Sequence, residues 1–90
     1  MNVNTRKVLV AGKMCMPCKQ VKEWIEEHNI NDVEILYGED NMDFCRYYGV
    51  CKTPTLVVIT QREGSEYEGN VKIDTPEEII AYLEGKSDEH

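Results

Sequence analysis

The chain predicts an α/β fold in the order β-α-β-(α)-β-β-α, a four-stranded mixed sheet flanked by helices, and three stretches carry that expectation. Lys7-Val8-Leu9-Val10-Ala11 is a short apolar run, followed by a segment of helical periodicity and then by the alternating stretch Asp32 to Tyr37. Strand, helix and strand at this spacing form a βαβ unit, with parallel strands and a right-handed crossover. Thr55-Leu56-Val57-Val58-Ile59-Thr60 is the most strand-like run and belongs in the middle of the sheet. A polar turn and a returning strand after it predict a hairpin. Asp74-Thr75-Pro76-Glu77-Glu78 then has the cap, proline and acidic first turn of a closing helix.

Each element has a local reason. Lys7 to Ala11 is β-branched and uninterrupted, as a buried strand requires. Cys18, Val21, Trp24, Ile25 and His28 fall on one face of the first helix, and Lys19, Lys22, Glu23, Glu26 and Glu27 occupy the rest. Asn29-Ile30-Asn31 ends it. In the second strand Val33, Ile35 and Tyr37 alternate with Glu34 and Leu36. Gly38-Glu39-Asp40-Asn41 resets the chain, and Asp40 or Asn41 caps a short helix, roughly Met42 to Tyr48, with Gly49 as its left-handed stop. Gln61-Arg62-Glu63-Gly64-Ser65 is the hairpin turn, with Gly64 at positive φ, and Glu66 to about Asn70, or on to Ile73, is the return strand. Ile79, Ile80 and Leu83 form the buried face of the last helix, Gly85 ends it, and Lys86 to His90 is expected to fray. Residues 1–90 are read as one domain with a core over about 7–84.

Composition narrows the function classes. With 41% hydrophobic and 30% charged residues the chain is ordinary for a soluble globular domain. A net charge of −7 argues against nucleic-acid binding, which needs a basic surface, and is compatible with partners that carry a basic patch. Met1 to Lys7 lacks the apolar core of a secretory signal and no run approaches ~18 apolar residues, so neither a secretory signal nor a membrane span is expected. The expectation is a cytoplasmic monomer.

Cys15-Met16-Pro17-Cys18 is the stretch with chemistry in it. A C-x-x-C at a strand-to-helix corner in a chain without a signal peptide reads first as a redox pair. One helical turn brings the two sulfurs within disulfide reach. The unpaired N–H groups and positive dipole end of the helix favour a thiolate at Cys15, the exposed nucleophile, while Cys18 one turn in is the buried resolving thiol. Pro17 costs nothing there, because an N–H in the first turn has no intrahelical partner to lose.

The order of elements, the C-x-x-C and a second segment together resemble the thioredoxin/glutaredoxin superfamily over about Lys7 to Glu84. Tyr48-Gly49-Val50-Cys51-Lys52-Thr53-Pro54-Thr55-Leu56 is similar to the thioredoxin segment in which a tyrosine-glycine-aliphatic turn leads to Pro-Thr-Leu. The resemblance implies a thioredoxin-like fold, a cis proline at Pro54 facing the redox pair, and pairing of the Thr53 backbone with an extended substrate chain. It also implies that Gly69, in Glu68-Gly69-Asn70, lets another backbone approach the site. Cys-Met-Pro-Cys is nearer to thioredoxin's Cys-Gly-Pro-Cys than to glutaredoxin's Cys-Pro-Tyr-Cys, whereas the lack of a βα pair before the first strand gives a glutaredoxin-sized build. Met14 stands where thioredoxins have a tryptophan, and Leu9 where they have a buried aspartate, so no carboxylate base is evident near Cys18. In a glutaredoxin-like role Lys13, Lys19 and Thr53 contact glutathione, with Gly69-Asn70 and the more distant Asp74 in place of the usual Gly-Gly and acidic pair.

Other residues have plainer readings beside functional ones. Cys15 and Cys18 with Cys45 and Cys51 make four thiols, a possible zinc or iron–sulfur set, but zinc ribbons place two short knuckles on turns and Cys45 lies inside a predicted helix. No metal or cofactor is therefore expected beyond the Cys15–Cys18 disulfide, with glutathione as a co-substrate. Cys45 reads as a small buried hydrophobe. Cys51 reads as an incidental loop thiol, with regulatory oxidation, an intermolecular disulfide and a Cys45–Cys51 bridge as the open alternatives. His28 reads as a helix-end residue against the last carbonyls, Trp24 as packing, and Glu23, Glu26 and Glu27 as a solvated face. Met14, Met16, Tyr48 and Val50 either form an apolar docking collar around Cys15 or pack in the ordinary way.

The mechanism these residues suggest is dithiol exchange with protein disulfides, for example of a ribonucleotide reductase. Electrons would come from a thioredoxin reductase-type flavoenzyme or from glutathione. The expected potential is nearer ~−270 mV, as in thioredoxin, than the ~−120 mV of strong oxidants. A redox-inactive binding module is the alternative from another class.

Overall fold

A computed structural model describes residues 3–85; the expected fraying of Lys86 to His90 lies outside them. The strands are β1 (Val3–Ala11), β2 (Val33–Tyr37), β3 (Thr55–Arg62) and β4 (Glu68–Ile73), and the helices are α1 (Met16–Glu27), α2 (Met42–Tyr48) and α3 (Pro76–Gly85). They form one four-stranded mixed sheet in the order β2-β1-β3-β4. β1 and β2 pair in parallel, while β1–β3 and β3–β4 are antiparallel.

The two central strands explain the two uninterrupted apolar runs, because both of their faces are covered. Leu9, Leu56 and Val58 meet Val21 and Ile25 of α1 and Ile79 and Leu83 of α3. On the other face Val8, Val10, Val57 and Ile59 are covered by Leu36, Val50 and the α2 residues Phe44, Cys45 and Tyr48. β1 begins at Val3 rather than Lys7. Its first half is polar and exposed, so it carries no apolar signal; register with β3, Val3 against Arg62 through Lys7 against Val58, makes it a strand.

Other departures from expectation are local. β2 is an edge strand, so Ile35 is exposed although its alternation suggested burial, and Leu36 is the residue that packs on Val8 and Val10. The Arg6 guanidinium donates to both carboxylate oxygens of Glu34, at 2.6 and 2.9 Å, and ties that edge to β1. A 3₁₀ turn, Gly38–Asp40, precedes α2. Asn41 sits at the cap position, but its side chain donates back to the Tyr37 carbonyl at 2.8 Å and leaves the helix uncapped by it. Gly49 ends α2 with φ 71°, a conformation that favours glycine. β4 starts at Glu68, not Glu66, because the Ser65 hydroxyl accepts the Tyr67 N–H at 3.0 Å and holds the preceding residues in the turn. Thr75 caps α3, its hydroxyl accepting the Glu78 N–H at 3.3 Å. His28 is exposed rather than part of the apolar face; it stacks on Trp24 with ring centroids 4.1 Å apart. No described helix is long and apolar enough to cross a membrane.

One polar contact on the α2 face yields a pH prediction. Burial, then the hydrogen bond that the Tyr48 hydroxyl donates to Glu68 at 2.6 Å, pushes the phenol up from 10.0 to about 12. A raised folded-state value means the neutral phenol contributes stability below pH ~10 that is lost as pH rises through ~12. Urea midpoints at pH 8, 10 and 11.5 are expected to fall more steeply in the wild type than in Tyr48→Phe. Parallel curves would show that Tyr48 is not the group responsible.

Candidate functional site

Parallel pairing sets the location of the site. Ala11 is opposite Tyr37 and Val10 opposite Thr55, so the chain leaves β1 and β2 and enters β3 at one end of the sheet. The Gly12–Met14 loop, the Gly38–Asp40 turn and the Lys52-Thr53-Pro54 approach therefore converge, although they are far apart in sequence.

Cys15 is the N-cap of α1, with extended backbone (φ −127°, ψ 110°). Its Sγ accepts the Cys18 N–H at 3.3 Å and thereby satisfies one of the free donors of the first turn. Cys15 and Cys18 are joined as a disulfide, with Cα atoms 5.2 Å apart. Cys18 is 1% exposed and its Sγ accepts the Gly12 N–H at 3.3 Å, whereas Cys15 is half-buried. The pair is thus asymmetric, with one sulfur at the surface and one sealed beneath it.

Thr53 faces Cys15 from the other side. Its hydroxyl lies 3.7 Å from Cys15 Sγ, close enough to donate to sulfur, and its carbonyl oxygen lies 3.9 Å from the same atom. In the reduced protein that carbonyl can accept a hydrogen bond from the Cys15 thiol. The Thr53–Pro54 peptide is cis and Pro54 is buried. The Thr55 hydroxyl donates to the Lys52 carbonyl at 2.7 Å, which holds the turn and satisfies a buried polar group.

The remaining site candidates divide. Met14, Met16, Lys13 and Lys19 line a hollow of about 610 Å³ with Cys15, and the two methionines are largely exposed. Lys13 is tethered: its ammonium pairs with Asp40 at 3.0 Å, which raises it above the usual lysine range, and its N–H donates to Glu39 Oε2 at 3.2 Å. Gly69 is not at the site. On β4 it pairs with Thr60 of β3, near the opposite end of the sheet, because β4 runs antiparallel to β3. The β4 end that approaches the site is Ile73 and Asp74; Asp74 shares a small cavity with Thr55, Cys51 and Lys52 and is nearer than its sequence position suggested. Tyr48 is turned away from Cys15 toward Glu68, so it does not belong to a docking collar. Val50 lies in a second hollow, of about 520 Å³, with Gly12, Thr53, Met42, Cys45 and Cys51.

Cys45 is half-buried against the Val8 and Val10 face, and Cys51 is exposed; both are free thiols. Among the described residues no group of three or more His, Cys, Asp or Glu side chains is arranged to hold a metal ion. His28 Nδ1 lies 2.9 Å from the Trp24 carbonyl, a helix-end contact.

The residue that sequence reading missed is Glu39. Its carboxylate reaches the loop before Cys15, a proximity created by the pairing of β1 with β2 and invisible in spacing along the chain. Gly12 marks how close these parts lie: a Cβ there would sit 3.1 Å from Thr53 Oγ1 and 3.2 Å from Cys15 Cβ. Gly12→Ala is expected to push Thr53 away from Cys15 and slow exchange with dithiothreitol by roughly tenfold to a hundredfold, as small misplacements at reacting centres do. An unchanged exchange rate would show that the Thr53 contact is dispensable.

A scan of protein-family models and a search of curated proteins found no match to the chain. Solved structures do match. Thioredoxin from Trichomonas vaginalis superposes with a TM-score of 0.68 at 13% identity, covering 94% of this chain and 79% of that one. Thioredoxin from Plasmodium falciparum gives 0.68 at 11% identity, covering 97% and 73%. Thioredoxin from Fasciola hepatica gives 0.63 at 18%, covering 96% and 82%. At these identities the likeness establishes the fold. The protein has the thioredoxin-like fold and carries a C-x-x-C disulfide at the N-terminus of its first helix.

Proposed function

We propose that the protein is a thiol–disulfide oxidoreductase, a small electron carrier that reduces protein disulfides through Cys15 and Cys18. The observation that carries this is the asymmetric disulfide, with accessible Cys15 at a helix N-terminus and buried Cys18 behind it. In the reduced protein the Cys15 thiolate attacks one sulfur of a substrate disulfide and expels the other as a thiolate, which takes a proton. Cys18 then attacks Cys15 Sγ, releases the second substrate thiolate and closes the Cys15–Cys18 disulfide. The two electrons have passed to the substrate. The Thr53 backbone beside Cys15 supports pairing with an extended substrate segment.

In this reading the chain works as a single domain and a monomer in the cytoplasm. Disulfides of a ribonucleotide reductase are one substrate class, and a thioredoxin reductase-type flavoenzyme or glutathione supplies electrons. The pair serves in place of a cofactor. In the same reading Lys13, Met16 and Lys19 contact a bound substrate, and their sharing the hollow at Cys15 supports this.

The test is disulfide reduction in two coupled assays, one with NADPH and a thioredoxin reductase, the other with glutathione, glutathione reductase and a small mixed disulfide. Turnover in the second assigns glutathione as donor; turnover in the first alone assigns the flavoenzyme. A Cys15–Cys18 pair that neither donor nor dithiothreitol reduces would refute the reading.

A further inference from the structure

Leu9 is fully buried among hydrocarbon side chains, whereas a carboxylate reaches the loop that leads to Cys15. Glu39 Oε2 accepts the Lys13 N–H at 3.2 Å. It also lies 3.8 Å from the point that a Cβ on Gly12 would occupy, and that point is 3.2 Å from Cys15 Cβ. The carboxylate oxygen is therefore within roughly 7 Å of Cys15 Cβ, inside one screening length at physiological salt.

We propose that Glu39 is a positioning residue of the redox pair, whose charge disfavours the Cys15 thiolate relative to the disulfide and so keeps the pair a reductant. The proposal rests on the redox role given above to Cys15 and Cys18. Opening the disulfide takes two electrons and two protons from a dithiol donor, whose own sulfurs close into a disulfide. Where the Cys15 thiol ionises, the reduced protein carries a negative sulfur and the oxidised protein does not. A fixed negative charge nearby raises the free energy of the first state alone.

The other charges facing the pair leave this effect standing. The first turn of α1, the Cys18 N–H and the Thr53 hydroxyl favour the thiolate. Lys13, whose ammonium would offset Glu39, is engaged by Asp40, and Arg46 across the second hollow is engaged by Asp43. Lys19 and Lys22 on α1 share the first hollow with Cys15, but Glu23 and Glu26 line it beside them, and Lys52 flanks Thr53.

Two substitutions separate charge from tether. Glu39→Gln keeps an amide oxygen to accept the Lys13 N–H and removes the charge; Glu39→Ala removes both. The readouts are the pH profile of Cys15 alkylation by iodoacetamide in the reduced protein and the reduced-to-oxidised ratio at equilibrium with dithiothreitol. Neither needs a physiological substrate. Both variants are expected to move the alkylation midpoint down by about half a pH unit at low salt and to raise the reduced-to-oxidised ratio about threefold, with smaller shifts at high salt. A Glu39→Gln profile that superimposes on the wild type would overturn the proposal, whatever Glu39→Ala does, and would leave Glu39 as a tether only. A wild-type pair that does not exchange with dithiothreitol would overturn the redox reading itself, and the role of Glu39 with it.

Discussion

Cys15→Ser is expected to lower disulfide reduction to the uncatalysed background, whereas Cys18→Ser is expected to stop at a trapped covalent complex. The difference follows from burial. Cys15 is the half-exposed sulfur with Thr53 beside it, so of the pair it is the one that can meet a substrate disulfide. Cys18 is 1% exposed and capped by the Gly12 N–H, so its reach is confined to Cys15. Without Cys18 the first exchange proceeds and the mixed disulfide has no resolving thiol. Mass spectrometry after mixing Cys18→Ser with an oxidised substrate is expected to show a one-to-one adduct that dithiothreitol releases. An adduct through Cys51, the other exposed thiol, would point to a different nucleophile. A Cys51→Ser background keeps the two possibilities apart.

Leu9→Ala is expected to be the most damaging single change to stability outside the cysteines. Leu9 is 0% exposed in the buried half of β1 and shares one core cluster with Val21, Ile25, Leu56, Val58, Ile79 and Leu83. Both sheet neighbours and two helices fix the cavity walls, so little collapse can offset the loss. Large-to-small changes at such sites cost about 3 kcal/mol. A domain of this size has on the order of 5–10 kcal/mol in total, so a third or more of the stability goes. The melting temperature is expected to fall by on the order of 10–20 °C. Val71→Ala, at an exposed β4 position, is the control and is expected to change stability by less than about 0.5 kcal/mol. Equal effects of the two would mean that β1 is not the centre of the core.

Sequence patterning carried most of the architecture because the signals involved are local. The apolar run at Val8-Leu9-Val10, the periodicity of α1, the glycine stop at Gly49 and the Thr75-Pro76 helix start each depend on residues within a few positions of one another. The asymmetry of Cys15 and Cys18 was legible for the same reason, since a helix N-terminus and one turn of helix determine it. What misled was position across the sheet. Gly69 was expected at the site by analogy with family spacing, but antiparallel pairing with β3 carries it to the other end.

The sequence alone determined that this chain is an α/β domain organised around a cysteine pair at a helix N-terminus, because hydrophobic period, caps and turns are short-range properties of the chain. The segment before Pro54 placed Thr53 opposite that pair by resemblance. Only the tertiary structure decided the other neighbours: Glu39 arrives from the turn after β2 at the loop before Cys15, Asp74 comes from the end of β4 to lie beside Lys52 and Thr55, and neither of these proximities has a trace in linear spacing. Strand register decides them, and register is set by which apolar faces must be buried against each other across the whole sheet.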